Sequence, residues 1–339
     1  MSKVAFGVEL FQYLDAPTLV EEIKLAERLG FDTVWLGDSQ LLWRELYVLL
    51  GAGAVNTSRI TLASGVTNPV TRHPAVTASA LVTLQELSAN RALLGIGVGF
   101  TSLSIMGLPP TTRAELRRYV EEVRALCRGE TVAGERVAMH LAFGAPDRCP
   151  PVVIPGSGPK MLRLAGEIGD GVILQSCPPF PGETYHAMIG HVREGRAAAG
   201  REFAPFTTYL GLPAAAHRDR ATAMASVKSH IAVGLLKPKW PISELALSAQ
   251  DAVRAVYTSS PYDHMNAASI ERFAGVIPDA VVPEFAIAGT PDECIEQCRT
   301  LFAAGIDEIT VRLYEMGGES RMASMQAFAR DVVEPLRRA

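Results

Sequence analysis

The chain has 339 residues, 48% hydrophobic and 20% charged, a length that suits one large α/β barrel or two medium domains. Its 32 Lys and Arg against 36 Asp and Glu leave a net charge of −4, which argues against a general nucleic-acid binder. No uninterrupted apolar run approaches the ~20 residues of a membrane span, so no membrane partner is expected.

Short β-rich runs alternate with helical patterns. Candidate strands fall at 4–8, 33–36, 60–64, 92–96, 152–154, 171–174, 206–210 and 308–313. Repeated βα order predicts a mostly parallel sheet, and eight units at this length favour a (β/α)8 TIM barrel over an open sheet. The stretch from Met1 to Glu9 reads as the first strand. It lacks the longer apolar core and small-residue cleavage site of a signal peptide, so a soluble cytoplasmic protein is the expectation. Asp15 and Pro17 open the first helix, with Glu21 and Glu22 early, Lys24 and Arg28 later, and Gly30 past its end. That charge order suits the helix dipole. Thr290-Pro291-Asp292-Glu293 is a capping box with proline at the first helical position, and Gly305 ends its helix.

Two stretches break the rhythm, near 129–151 and 237–284. The first has a hairpin-like centre and a Pro-rich exit. The second carries Pro238, Pro241, Pro261, Pro278 and Pro283 among helical pieces. Barrel enzymes often carry insertions on the loops after strands, where they roof the site, and the second stretch reads as a helical lid or an oligomer surface. No repeat, low-complexity tract or linker splits the chain. Residues 1–339 are therefore expected to form a single barrel domain with these two insertions.

The chemistry is sought just beyond the strand ends, which on a barrel open on one mouth. Strand one ends at Glu9, strand two at Gly37-Asp38, strand three at Gly65-Val66 and strand four at Gly97-Val98-Gly99. Strand five ends at Gly156-Ser157-Gly158-Pro159 and strand six at Gln175-Ser176. The stretch from Gly65 to Pro74, a glycine and two prolines among hydroxyl and amide side chains, lies between a clean strand and a helix-like run. Gly156 to Lys160 reads either as a phosphate site at a helix N-terminus or as a plain strand-to-helix turn. Glu9 closes an otherwise apolar strand. In a closed mouth it would act as an acid or base with a raised pKa; otherwise it is a solvated strand end. Asp38 carries the same two readings, and a third as a helix cap.

Cys127, Cys149, Cys177, Cys294 and Cys298 are odd in number and scattered, which implies no disulfide framework. Cys294 and Cys298 lie four apart on a helix but have no histidine beside them, and read as packing residues. The seven histidines form no metal-binding spacing, so no protein-bound metal is expected. No nucleophile elbow, Walker loop or dinucleotide fingerprint after strand one is present.

In combination, several of these motifs resemble the luciferase-like monooxygenase superfamily. They are Phe6-Gly7-Val8-Glu9-Leu10, Gly65-Val66-Thr67-Asn68-Pro69 with Thr71-Arg72-His73-Pro74, Gly156 to Lys160 with Ala165 to Gly171, and Ala286-Ile287-Ala288-Gly289-Thr290-Pro291. The closer resemblance is to the branch that uses the deazaflavin coenzyme F420, typified by methylenetetrahydromethanopterin reductase. It implies a (β/α)8 barrel with insertions and a non-proline cis peptide at Gly65–Val66 against the deazaflavin ring. It also implies a coenzyme phosphate at Gly156, Ser157 and Gly158, Asp38 near the ring, and Glu9 near the reacting carbon or the pterin. Thr67, Gly99 and Gln175 complete the candidate cofactor contacts, with Glu9 and Asp38 as the catalytic pair. Two departures stand out: Asp38-Ser39 replaces the Asp-His of many relatives, and Gly97-Val98-Gly99-Phe100 replaces the Gly-x-Gly-Asp of the reductases.

The resulting reading is an F420-dependent oxidoreductase that moves a hydride between the deazaflavin and a small organic substrate, with a homodimer as the family expectation. The rivals are an FMN-dependent monooxygenase, which would need a flavin reductase partner, and a non-catalytic barrel that only binds a flavin-like ligand. Substrate identity and reaction direction are not legible in the chain.

Overall fold

A computed structural model describes residues 4–134, 136–175, 182–236, 238, 240–256, 272–273 and 275–338. Eight parallel strands close a barrel in the order β1 (Ala5–Leu10), β2 (Thr33–Leu36), β3 (Thr61–Ser64), β4 (Ala92–Gly95), β5 (Val152–Gly156), β6 (Gly171–Leu174), β7 (Thr207–Ala216) and β9 (Glu308–Arg312). β9 returns to β1, with Ala5 opposite Glu308 and Val8 opposite Val311. These are the eight strands expected from sequence. A ninth, β8 (Ile287–Gly289), pairs with Ala214–Ala216 of β7. Its three residues are too short to show an alternating pattern.

β7 runs past its expected end through Pro213, where a missing N–H usually stops a central strand. Here β7 pairs with β9 up to Pro213, and Ala214 onward pairs with β8. The proline thus sits where the strand exchanges neighbours.

The helices follow the local signals. Asp15 caps α1 (Ala16–Arg28) by accepting from the Thr18 N–H at 3.0 Å, and Glu45 caps α2 (Leu46–Asn56). Pro74 opens α3 (Pro74–Ser88), and the short α4 (Thr101–Ile105) leads to α5 (Arg113–Cys127), α6 (Pro159–Ile168) and α7 (Gly182–Ala198). α8 (Arg220–Leu236) and α9 (Glu244–Val256) follow β7. The Thr290 capping box opens the helix Pro291–Ala303 as expected.

Strand alternation divides the core in two. Phe6, Val8 and Leu10 point outward into the main core under the helices. Inside the barrel, Trp35, Ala63, Leu93, Val153, Ile173 and Tyr209 pack together. One charged group lies among them. Glu308 is buried and accepts from Thr33 Oγ1 (2.9 Å), Trp35 Nε1 (3.4 Å) and Thr310 Oγ1 (3.4 Å). Gly7 faces this cluster, and a Cβ there would collide with the Glu308 carboxylate and come within 2.9 Å of Thr310 Oγ1. Glycine is what leaves room for the acid.

The two insertions lie differently. The stretch 129–151 joins α5 to the start of β5, so it lies at the N-terminal end of the strands and cannot roof the mouth. Its hairpin-like centre is a single antiparallel bridge between Val132 and Met139. The second stretch follows β7 and α8. Its described part includes α9 and a 3-10 turn at Asp279–Glu284, and packs a satellite core of Met224, Ile231, Val253 and Val282. Residues 257–271 of that insertion lie outside the described set, as do Ser176, Cys177 and His264. Among the described residues, no helix is long and apolar enough to cross a membrane.

Candidate functional site

Inward-facing residues at the C-terminal strand ends build the mouth from two halves. On the β1–β9 side stand Glu9 and Arg312, both reached by the two-residue alternation of their strands. Arg312 Nε lies 3.4 Å from Glu9 Oε2, and Arg312 Nη2 donates to the Gly211 carbonyl at 2.7 Å. Burial pushes the Glu9 carboxyl above its ordinary range, and the Arg312 guanidinium opposes the rise. Tyr314 follows on the same chain segment, stacks on His230 at 3.4 Å between ring centroids, and tilts against Phe11.

On the β2–β3 side Asp38 is buried with both oxygens engaged. Thr67 Oγ1 donates to Oδ2 at 2.6 Å and Gln40 Nε2 to Oδ1 at 2.7 Å. Arg72 Nε stands 3.9 Å from Oδ2, with its guanidinium 4.7 Å over the Tyr47 ring and an ion pair to Glu45. Burial still raises the Asp38 pKa, against the Thr67 hydrogen bond and Arg72. The reading of Asp38 as a helix cap is overturned, because Glu45 caps α2 by accepting from the Val48 N–H at 2.7 Å.

Between these halves the Gly65–Val66 peptide is cis. Thr67 continues the strand direction, its N–H donating to the Gly95 carbonyl at 3.0 Å. Asn68 then holds the loop: its Oδ1 accepts from Val70 and Thr71 N–H, both at 3.0 Å. Gly99 has φ +75°, and a Cβ there would lie 2.7 Å from Leu103 Cδ1 and 2.9 Å from Asn68 Cβ. Both its angle and its close approach require glycine. The next residue, Phe100, is 72% exposed, and Leu41 on the loop after β2 is 71% exposed, so the rim carries free apolar surface.

Gly156 ends β5, and Gly158 occupies the N-cap of α6 without any side-chain cap. Its φ of −123° is open to any residue, and a Cβ there would meet nothing within 4 Å. Gly158 therefore leaves space rather than enabling a turn. The Trp240 indole N–H, from the second insertion, donates to the Ser157 carbonyl at 2.7 Å and ties that insertion to this loop. Gln175 follows β6 with an exposed side chain.

Sequence reasoning missed several participants. Arg312 was signalled by Glu308, Thr310 and Arg312 alternating with Ile309 and Val311. Gln12, fully buried, both donates to the Gly37 carbonyl (2.7 Å) and accepts from its N–H (3.0 Å), fixing the end of β2 against β1. Trp43 stacks on Phe11 at 5.2 Å and leaves its buried indole N–H without a partner among the described residues, as Gln40 leaves Oε1. Cys294 and Cys298 are buried, with Cys294 Sγ directed at the Ala215 carbonyl, and burial pushes both thiols up.

A closed parallel barrel with two acids and an uncapped helix N-terminus at its mouth defines a ligand-binding α/β barrel. The chain belongs to the luciferase-like monooxygenase family, whose sequence model matches residues 6–308. It is similar to the 5,10-methylenetetrahydromethanopterin reductase of Archaeoglobus fulgidus, at 33% identity over 98% of this chain and 99% of the relative. It is also similar to the F420-dependent glucose-6-phosphate dehydrogenase of Beutenbergia cavernae, at 27% identity over 92% and 91% of the two chains. In three dimensions it matches the coenzyme F420 dependent tetrahydromethanopterin reductase from Methanopyrus kandleri, with TM-score 0.83, 22% identity, and 99% and 100% of the chains covered.

Proposed function

We propose that the chain is an F420-dependent oxidoreductase that transfers a hydride between the deazaflavin and a small organic substrate. The observation that carries this reading is the mouth itself, in a chain whose full-length relatives include F420-dependent enzymes. Two features fit a phosphate-bearing, heteroaromatic coenzyme. The N-terminus of α6 is uncapped, with open space at Gly158 where backbone N–H groups suit a phosphate. Gln40, bonded to Asp38, leaves a buried acceptor (Oε1) and Trp43, stacked on Phe11, a buried donor (Nε1) without partners among the described residues, as expected where a polar ligand supplies them.

The coenzyme, when bound, supplies the two-electron hydride chemistry. Gly156, Ser157 and Gly158 would hold its phosphate, and Gly65, Val66, Thr67, Gly99 and Gln175 would hold its ring. Asp38 is held by Thr67 and Gln40 and would hold the ring from the β2–β3 side. Glu9 holds or releases the balancing proton at its carboxyl, with Arg312 fixing that carboxyl from the β9 side. A raised pKa keeps Glu9 protonated closer to neutral pH, which suits a proton donor. Phe100 places an exposed aromatic ring where the reductases carry an acid, so the substrate differs from the usual pterin in what it offers to that position.

The protein works as a single barrel domain in the cytoplasm, on small molecules and without nucleic acid. It forms a homodimer through α2, which exposes Val48 and Val55, and α3, whose exposed Val76 and Leu87 line a shallow groove with Tyr47 and Gly51. A flavin reductase partner would be needed only by an FMN-dependent monooxygenase. The deciding test is reduction or oxidation of F420 by the purified protein across a panel of alcohols, aldehydes and reduced pterins. Turnover of F420 with any of them supports the reading; turnover only with reduced FMN and oxygen rejects it.

A further inference from the structure

A basin of about 1300 Å³ lies at the end of the barrel away from the mouth, with room for a small metabolite. Loops at the N-terminal ends of the strands line it, and they bring arginines to it from two sides of the closed ring. Arg59 and Arg91 precede β3 and β4. Arg124, near the end of α5, and Arg201, ahead of β7, stand on the other side with Asp170, ahead of β6. The chain as a whole carries a net charge of −4, so this concentration of positive charge is local.

On the first wall two arginines share one acid, Glu27. Its carboxylate is engaged by the backbone, accepting from the N–H groups of Ser58 (2.9 Å), Arg59 (2.6 Å) and Ile60 (2.9 Å). Arg91 meets neutral acceptors: Nη1 donates to the Ile60 carbonyl at 2.7 Å, Nε to the Ser88 carbonyl at 2.7 Å and Nη2 to the Thr57 carbonyl at 2.9 Å. Its guanidinium is thus fixed against the turn that carries Arg59, and burial draws it below its ordinary range, against Glu27. Arg59 is exposed and gives Nη2 to the Glu27 carbonyl at 3.1 Å; its other side-chain N–H groups have no partner among the described residues. On the second wall Arg124 and Arg201 both pair with Asp170, Arg201 Nη2 at 2.7 Å. Each wall therefore sets two guanidinium groups against one carboxylate. The other charges of the basin balance more closely. Arg337 pairs with Asp32 and Arg128 with Glu130, while Glu308 closes the inner end as a buried acid whose carboxyl is pushed up to about 7 by burial.

We propose that this basin binds a small multivalent oxyanion, its phosphate or carboxylate groups held at one end by Arg59 and Arg91 and at the other by Arg124 and Arg201. Such a ligand supplies the negative charge that each wall lacks, and guanidinium forks match both kinds of oxyanion. Arg91, Arg124 and Arg201 are already held by carbonyls and Asp170, so binding orders little beyond the exposed Arg59 side chain. The bound anion joins the loops ahead of β3, β4 and β7, and so stabilises the folded chain. The basin lies at the opposite end of the barrel from Glu9, Asp38 and Gly158, and this proposal does not rest on the hydride chemistry.

The test is isothermal titration of the full chain at low ionic strength with sodium tripolyphosphate and, separately, with citrate, acetate serving as the monovalent control. The expected result is saturable binding of tripolyphosphate or citrate at least about tenfold tighter than acetate, the tighter of the two naming the oxyanion. Arg59→Gln and Arg201→Gln, one on each wall, should each weaken it at least about tenfold, while Gly158→Asp at the mouth should leave it unchanged. Phenylglyoxal labelling of the unaltered chain, mapped by mass spectrometry, serves if a variant fails to fold: the saturating probe should slow modification of the exposed Arg59 at least about tenfold. No saturable binding, an affinity equal to that of acetate or unmoved by Arg59→Gln, a loss of affinity in Gly158→Asp, or unprotected Arg59 would each overturn the proposal.

Discussion

Glu308 is the deepest acid in the barrel, and Glu308→Gln tests whether its charge is held there against a cost. Its three donors, Thr33, Trp35 and Thr310, do not offset burial, and among the described residues no ion pair reaches it. Burial pushes its carboxyl from the ordinary 4.5 up to about 7. At about 1.4 kcal/mol per pH unit, that rise corresponds to ~3 kcal/mol. The sign follows from proton binding. Between those two values the folded chain keeps the proton and the unfolded chain has lost it. The stabilisation is therefore full below about 4.5, and is lost as pH rises through about 7. Gln keeps the shape and carries no proton to lose. Urea unfolding of both proteins at about pH 4.5 and about pH 8 should show Glu308→Gln gaining ~3 kcal/mol on the wild type between the two conditions. A stability difference that stays the same at both pH values would refute the reasoning, and would mean that the acid is well solvated or already ionised in the fold.

At the mouth, Gly158→Asp places a carboxylate at the bare N-cap of α6, where a side chain meets nothing. Folding should hold or improve by a few tenths of a kcal/mol. Cofactor affinity, read by titration, should fall on the order of 10²-fold, since two charge-assisted hydrogen bonds of ~1.5 kcal/mol are lost to an internal competitor. Glu9→Gln should lower turnover by roughly 10²–10⁴-fold with little change in cofactor affinity; unchanged turnover with a true substrate returns Glu9 to a strand-end residue. Val76→Asp puts a charge in the exposed α2–α3 face and should shift the sedimentation profile from dimer to monomer, while a wild-type monomer would remove that interface.

The barrel was legible because each strand carries its own apolar run bounded by turn residues, and because caps such as Asp15 and Thr290 mark helix starts locally. β8 was not, since three residues have no period. Pro213 hid the second half of β7, because a local rule cannot know that the neighbouring strand changes there. At the mouth, Glu9 was found as a charge at the end of an apolar strand. Arg312 met the same criterion on β9 and was overlooked, although the two form one ion pair. Asp38 was placed but its partners were not: Thr67 reaches it from another strand, a juxtaposition that only closure of the barrel creates. The glycines at 156 and 158 were read as allowing close backbone approach; the φ at Gly158 suits any residue, and the open space beside it is what matters.

The account rests most directly on which coenzyme the mouth accepts. Titrating the full chain with F420 and, separately, with FMN, following intrinsic Trp fluorescence, measures this without a substrate. Trp43 and Trp240 stand at the ring side and the phosphate loop of the proposed site, so occupancy should register in the signal. Saturable binding of F420 at least about tenfold tighter than FMN, weakened on the order of 10²-fold by Gly158→Asp, is the predicted result. Tight binding of FMN with none of F420 would contradict the account and make the chain an oxygen-using member of its family.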